Sequence, residues 1–190
     1  MRTYTIEQFC CRHNACDEGR QWMLANCTSL LEAWNTTTRP DWLMWAATRG
    51  MVMSNTHARE FAFYSVKLVK HLLTPDAAKV LESVTPYVTD HDMQQAWVLA
   101  NHEHGHVVHA QSSNSRVDAS RALVYAVSEH NCKSTYQFTL DAIWHEAEEK
   151  MRAGDKLFTR TEDVDAAERE MAHRHMAWLR RHIVPNFTMP

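Results

Sequence analysis

One histidine-rich stretch of the chain has residue types and spacing that could bind a metal ion. It reads His102-Glu103-His104-Gly105-His106-Val107-Val108-His109 and contains the pattern H-E-x-x-H. On a helix, His102 and His106 lie four positions apart on one face, where two imidazoles can hold a zinc ion. Glu103 could then act as a general base on a bound water molecule. This is the chemistry of a small zinc-dependent hydrolase.

A third ligand for such an ion must come from elsewhere in the chain. Glu129, on the helix expected next, is the candidate. His109 is a poor one, because seven helical residues cover roughly 10 Å of axis. Short motifs also arise by chance in a chain with 13 histidines, and Gly105 weakens a helix by about 1 kcal/mol relative to alanine. We therefore expect no catalytic residue, no metal and no cofactor, and the alternative is the hydrolase with zinc held by His102, His106 and Glu129.

The elements that position this stretch are predicted to be helices throughout. Only four glycines and five prolines occur in 190 residues, which leaves few tight turns and disfavours a sandwich or a barrel. Apolar residues recur at helical spacing, in segments that begin at caps such as Ser29, Thr74 and Thr89. The expected fold class is all-α, a compact multi-helix bundle of about eight to ten helices.

The clearest predicted loop is the polar segment Gln111 to Ser115, which reads Q-S-S-N-S. It separates a Trp-rich N-terminal helical region, residues 1–111, from a C-terminal helical region, residues 112–190. We expect the two regions to form one compact domain, because a chain of this length can hold one sizeable core. The helix before the loop is predicted to bury the side chains of Met93, Ala96, Trp97 and Ala100.

Two charged helix ends are interpreted as solvated. One is the end of the helix that begins at Ser134, where Glu146, Glu148 and Glu149 are expected to be exposed. The other is the last helix, where Arg180 and Arg181 complement the helix dipole near its C-terminus.

The segment from Cys16 to Trp45 holds four of the chain's seven tryptophans, and these are Trp22, Trp34, Trp42 and Trp45. Tryptophan is rarely left wholly in water, so this density predicts a local core. Ser29 with Glu32 forms a capping box that should start one helix, and Pro40 suits the first turn of the next. We assign the four indoles to the structural core, because an aromatic stripe at helical spacing is typical of one.

The tryptophan segment also carries a resemblance to a known family. Its motif combines Cys16, Gly19 and Trp22 with Ser29-Leu30, Glu32 and Trp34, and then with Asp41-Trp42-Leu43 and Trp45. This motif resembles that of a family of small helical proteins from bacteria and their phages, some of which are labelled immunity proteins. Looser similarity extends to residues 72–78 and to 168–187. The resemblance implies an all-helical protein with no established catalytic residues, although the family is alanine-rich where this chain is histidine-rich.

Composition and charge disfavour several classes of function. The net charge of −3 argues against a dedicated nucleic-acid binder, which is usually strongly basic. The sequence has no apolar run long enough to span a membrane, and residues 1–4 lack the layout of a signal peptide. We therefore expect a cytoplasmic protein without membrane association. Its five cysteines, odd in number and unevenly spaced, are expected to be thiols.

The expected function is non-catalytic. The protein should bind a protein or protein complex of the host cell and block it, and the family resemblance points to an immunity-type inhibitor or a phage anti-defence protein, for example an anti-CRISPR protein. Two alternatives stay open. One is the zinc-dependent hydrolase, and the other is a structural or assembly factor of a phage particle, which would self-associate or enter the particle. The sequence leaves the oligomeric state and the contact surface undetermined.

Overall fold

A computed structural model of the chain describes residues 3–49, 52–128, 132–155, 157–158 and 160–188. Within these residues the chain forms ten α-helices, which confirms the predicted all-α fold class. The helices are α1 (Ile6–His13), α2 (Asp17–Asn26), α3 (Leu30–Thr36), α4 (Pro40–Arg49), α5 (Asn55–Leu68), α6 (Pro75–Ser83), α7 (Asp90–His109), α8 (Asn114–Ala126), α9 (Cys132–Arg152) and α10 (Thr161–His182). A short 3-10 helix, Lys70–Leu72, follows α5.

The contacts divide the chain into two compact units. Unit 1 comprises Met1–His57 with His175–Pro190, and unit 2 comprises Ala58–Arg174. The boundary predicted between residues 111 and 112 lies inside unit 2, between α7 and α8, which pack against each other. The linker there is shorter than expected, because α8 already begins at Asn114. Gln111 turns the chain with a φ of 50°, so a tight turn joins the two helices.

Unit 1 is held together by its caps and by its C-terminal segment. Glu32 N donates to Ser29 Oγ at 3.1 Å, which confirms the predicted start of α3. The Glu32 carboxylate, however, accepts from the N–H and the hydroxyl of Thr28 instead of closing the box on Ser29. Tyr4 N donates to Phe187 O at 2.9 Å, and the Phe187 ring is buried. The last residues of the chain are therefore part of this unit's core.

Arg180 of α10 caps the C-terminus of α3. Its Nε donates to Trp34 O at 3.1 Å, and its Nη2 donates to Thr37 O. The last carbonyls of a helix lack partners within the helix. The Arg180 guanidinium therefore supplies hydrogen bonds that α3 cannot form by itself. The prediction of a solvated, dipole-matched helix end is therefore wrong for Arg180, whereas Arg181 is exposed as expected.

Unit 2 is built around α8 and α9, which pack along much of their length. Both helices bury small residues, which let two backbones approach closely, and these are Ala119, Ala122, Ala126, Thr135, Thr139 and Ala142. The end of α9 contacts the start of α8, because Glu149 accepts from the N–H and the hydroxyl of the buried Ser115. The predicted exposure of this acidic end is thus wrong for Glu149, and also for Glu146 and Glu148, whose side chains are only 16% and 21% exposed. Among the described helices, none is both long and apolar enough to cross a membrane.

Candidate functional site

Helix α7 positions the histidine-rich stretch. Thr89 caps it as predicted, since Asp92 N donates to Thr89 Oγ1 at 3.2 Å. The helix continues through Gly105, where an added Cβ would meet no atom within 4 Å. The glycine therefore leaves the helix unbroken, and His102 and His106 stay in the i, i+4 relation that the sequence predicts.

The structure brings His102, Glu103 and His106 together. The two Nε2 atoms lie 3.2 Å apart, and Glu103 Oε1 lies 3.6 Å from His102 Nδ1. Each of the three residues offers one ligand atom, and these atoms all lie within 4.8 Å of one another. Over the described part of the chain, this is the only group of three histidine, cysteine or acidic side chains so arranged. Both imidazoles are exposed, whereas Glu103 is largely covered.

Helix α6 fixes the Glu103 carboxylate. Thr74, the N-cap of α6, donates its hydroxyl hydrogen to Glu103 Oε2 at 3.2 Å. The same hydroxyl oxygen accepts from Ala77 N at 3.1 Å, so it is itself anchored. One carboxylate oxygen is therefore held by α6 while the other faces His102. Glu129, the predicted third ligand, lies outside the described residues.

His104 serves a different purpose from its neighbours. Its Nδ1 lies 2.8 Å from Ser120 Oγ on α8. Burial lowers the pKa of His104, and the nearby Arg121 guanidinium lowers it further against the opposing effect of Asp118. A partly buried imidazole bonded to a serine is a packing contact between α7 and α8, so His104 does not join the exposed histidine pair.

A second histidine–carboxylate pair was not anticipated from the sequence. His145 Nδ1 on α9 lies 2.8 Å from Asp118 Oδ2 on α8. Burial raises the pKa of Asp118, while the hydrogen bond from His145 lowers it. A carboxylate at Nδ1 orients the imidazole ring and directs its Nε2 away from the pair. The two residues are 27 positions apart, and no local pattern in the sequence connects them.

Helix α7 exposes large apolar side chains at three consecutive positions. Trp97, Val98 and Leu99 are 41%, 55% and 53% exposed. The buried face of the helix is instead made of Met93, Ala96, Ala100 and Val107. The prediction that Trp97 faces inward is wrong, although the other three residues of that predicted stripe are buried. Alanine lets α7 pack closely on its neighbours, and this leaves no space beneath the helix for an indole.

Grooves flank this exposed ridge on both sides. On one side Trp97 lines a groove with Arg59 and Val127, and on the other Leu99 lines a groove with Val80. Polar groups surround the apolar residues along the crest, namely His91, Gln94 and Gln95. We call residues 91–99 of α7, with these two grooves, the α7 ridge.

In unit 1, the four predicted core tryptophans surround a cavity of about 280 Å³. Trp34 is buried, but Trp22, Trp42 and Trp45 are only half-buried. Trp22 and Trp42 lie 5.5 Å apart between ring centroids. The four tryptophans lie around one cavity, but only Trp34 is buried as a core residue would be. The other three line the cavity and stay partly exposed.

Charge at the rim of this cavity is already neutralised. Arg39 lies over the Trp42 ring at 4.6 Å and donates to both carboxylate oxygens of Asp41. The hydrogen bonds from Arg39 hold the pKa of Asp41 below its usual range, in spite of the opposing effect of burial. The cavity therefore presents an apolar lining without a free charge at Asp41.

Comparisons with protein-family models, with curated proteins and with solved structures find no match for this chain. The resemblance carried by the tryptophan motif accordingly stays a prediction. Function has to be argued from the ridge, the histidine pair and the cavity.

Proposed function

We propose that this protein is a non-catalytic inhibitor, which binds a protein or protein complex of the host cell through the α7 ridge and blocks it. The observation that carries the proposal is the exposure of three consecutive apolar residues, Trp97, Val98 and Leu99, on one helix. Single apolar side chains at a helix surface are ordinary, but three large ones within one turn, interleaved with polar residues, are typical of a protein-binding surface.

The energetics of the α7 ridge support this role. Fully burying an exposed large apolar side chain contributes about 1.5–3 kcal/mol, and these three are about half exposed, so each could add roughly half of that amount on binding. Tryptophan is also among the residues most enriched at binding hot spots. Trp97 stands beside a groove, where a partner side chain could pack against the indole face.

The polar surroundings of the ridge indicate the kind of partner surface that would fit. His91, Gln94 and Gln95 offer hydrogen-bond donors and acceptors. Charged residues at the two grooves are partly paired, since Asp90 lies 3.1 Å from Arg59 and Asp76 lies 2.6 Å from Lys79. A partner surface with an apolar centre and a polar rim would therefore be complementary. The immunity-type or anti-defence role, such as an anti-CRISPR activity, rests on the resemblance of the tryptophan motif.

The experiment is a tagged pull-down from nuclease-treated host lysate, read by mass spectrometry, with matched variants. Leu99→Asp changes the ridge, and Leu31→Asp is the control because both leucines are 53% exposed. We expect a stoichiometric host protein with the wild type and with Leu31→Asp, and its loss with Leu99→Asp and with Trp97→Asp. Recovery of the bait alone, or equal loss with the Leu31 variant, would overturn the proposal.

The same variants separate the assembly-factor alternative from the inhibitor. An assembly factor should self-associate through an exposed apolar ridge, and light scattering would then report an oligomer that Leu99→Asp dissociates. A wild-type monomer that captures a host protein favours the inhibitor.

The zinc-dependent hydrolase draws support from one observation, the proximity of His102, Glu103 and His106. Hydrolysis would need the Glu103 carboxylate as a base, yet one of its oxygens is already held by Thr74. A hydrolase must lose its activity in Glu103→Gln while keeping bound zinc. Binding of metal alone carries no such requirement.

A further inference from the structure

The geometry points to a binding site for one zinc-class divalent ion on the surface of α7, formed by the imidazoles of His102 and His106 and the carboxylate of Glu103. This inference stands apart from the proposed inhibitor role. Metal binding can be measured on the isolated chain without a partner protein. The metal site and the inhibitor role can therefore be refuted independently.

The separation of the two imidazole nitrogens is close to what a metal requires. Zinc binds histidine nitrogen at about 2.0–2.1 Å in tetrahedral geometry, which places two such nitrogens roughly 3.3 Å apart. The Nε2 atoms of His102 and His106 lie 3.2 Å apart. Both rings are exposed on the helix and meet edge-to-face, with 4.3 Å between their centroids, so each ring has to rotate toward a shared ion when the metal binds.

Glu103 completes the ligand set from an anchored position. Its Oε2 is fixed by the Thr74 hydroxyl, and its Oε1 lies 3.6 Å from His102 Nδ1, on the other side of the ring from the Nε2 that faces His106. Partners that hold a ligand in place raise metal affinity because less freedom is lost on binding. The ligand atoms are within 4.8 Å of one another, somewhat wider than the final contacts would be. A short movement of the carboxylate toward the histidines therefore has to accompany binding.

The ligand types select the ion. Two imidazoles with one carboxylate suit zinc, cobalt, nickel or copper, whereas magnesium and calcium prefer oxygen ligands. Three protein ligands leave one tetrahedral position for water. Because the histidines are exposed, a water molecule can reach that position directly from solvent.

The test is a titration of the purified full chain with cobalt(II) chloride, followed by displacement with zinc(II) chloride. The wild type should bind one cobalt ion per chain with the strong visible bands of a four-coordinate site, and excess magnesium should not compete. His102→Ala, His106→Ala and Glu103→Gln should each lower the affinity at least tenfold, since loss of even an outer partner typically costs 10–100-fold. Both histidines are exposed, so their alanine variants should keep the wild-type circular dichroism spectrum.

Two other histidines of α7 serve as matched controls. His91→Ala removes an exposed histidine from the same helix, and His109→Ala tests whether His106 pairs with its other neighbour. Both variants should bind cobalt within twofold of the wild type. Absence of binding by the wild type at about 100 µM free metal would overturn the site, as would unchanged affinity in any of the three ligand variants or a tenfold loss in His109→Ala.

Discussion

Replacing Arg180 with methionine should loosen unit 1 without disturbing its apolar packing. The guanidinium donates to Trp34 O at 3.1 Å and to Thr37 O, which are carbonyls at the end of α3. Methionine keeps most of the aliphatic stem but has no donor, so Arg180→Met removes the two hydrogen bonds and leaves the contacts of the stem largely intact. The two carbonyls would then depend on water.

The magnitude follows from the number of bonds and from their exposure. A hydrogen bond to a charged group contributes about 1.5–3 kcal/mol when its loss leaves the partner unsatisfied. Arg180 is half-buried, so water can partly replace it, and we expect a total loss of about 2–3 kcal/mol. For a protein of this size each kcal/mol lowers the midpoint of thermal unfolding by about 2–4 °C, which predicts a fall of roughly 4–12 °C.

Tryptophan fluorescence during urea unfolding is a selective assay for this change. Five of the seven tryptophans lie in unit 1, which leaves only Trp97 and Trp144 in unit 2. Arg181→Met is the matched control, because Arg181 is the exposed neighbour of the same type, and its replacement should change the free energy of unfolding by less than about 0.5 kcal/mol. If the two variants unfold within about 0.5 kcal/mol of each other, the capping role of Arg180 is refuted.

Two further predictions concern charged side chains of unit 2. Glu149→Ala should cost about 2 kcal/mol in urea unfolding, because it removes two acceptors from the buried Ser115. Glu148→Ala breaks an ion pair with the exposed Arg152 and should cost below about 1 kcal/mol. Equal costs would contradict this prediction. Burial raises the pKa of Glu168, and nearby aspartates raise it further, so the stability that its protonated form contributes is lost as the pH rises above about 4.3. The free energy of unfolding of Glu168→Gln, measured in urea, should therefore rise relative to that of the wild type between pH 4 and pH 7. If the difference between the two proteins does not change with pH, the pKa of Glu168 is not raised by folding.

The sequence predicted those features of the fold that depend on neighbours within one helical turn. Ser29, Thr74 and Thr89 each accept from the backbone N–H three residues later, as their spacing predicts. The proximity of His102 and His106 has the same local origin, since they are one helical turn apart. Such contacts are formed by the helix itself and need no knowledge of the tertiary structure.

Contacts between distant residues could not be predicted in this way. Arg180 reaches carbonyls more than 140 residues away, and Glu149 reaches a serine 34 residues away. Thr74, which fixes the candidate ligand Glu103, is 29 residues from it. Each of these side chains looked like a solvated charge or a simple cap in the sequence, because the partner becomes visible only when the helices are packed. The tryptophan cavity could not be predicted either. The residue types indicate an aromatic cluster, but they do not show whether the indoles pack together or leave a cavity between them.

The placement of Trp97 at the surface follows from the way α7 packs. Between Ala96 and Ala100 the helix is apolar on every side, so its sequence is compatible with more than one buried stripe. Packing buries the small alanines and leaves the largest side chain outside. Trp97 is therefore 41% exposed, and exposing an indole costs solubility without a gain in stability. This unfavourable exposure is the physical reason to expect a partner at the α7 ridge, whereas exposed polar residues such as His102 and His106 need no such explanation.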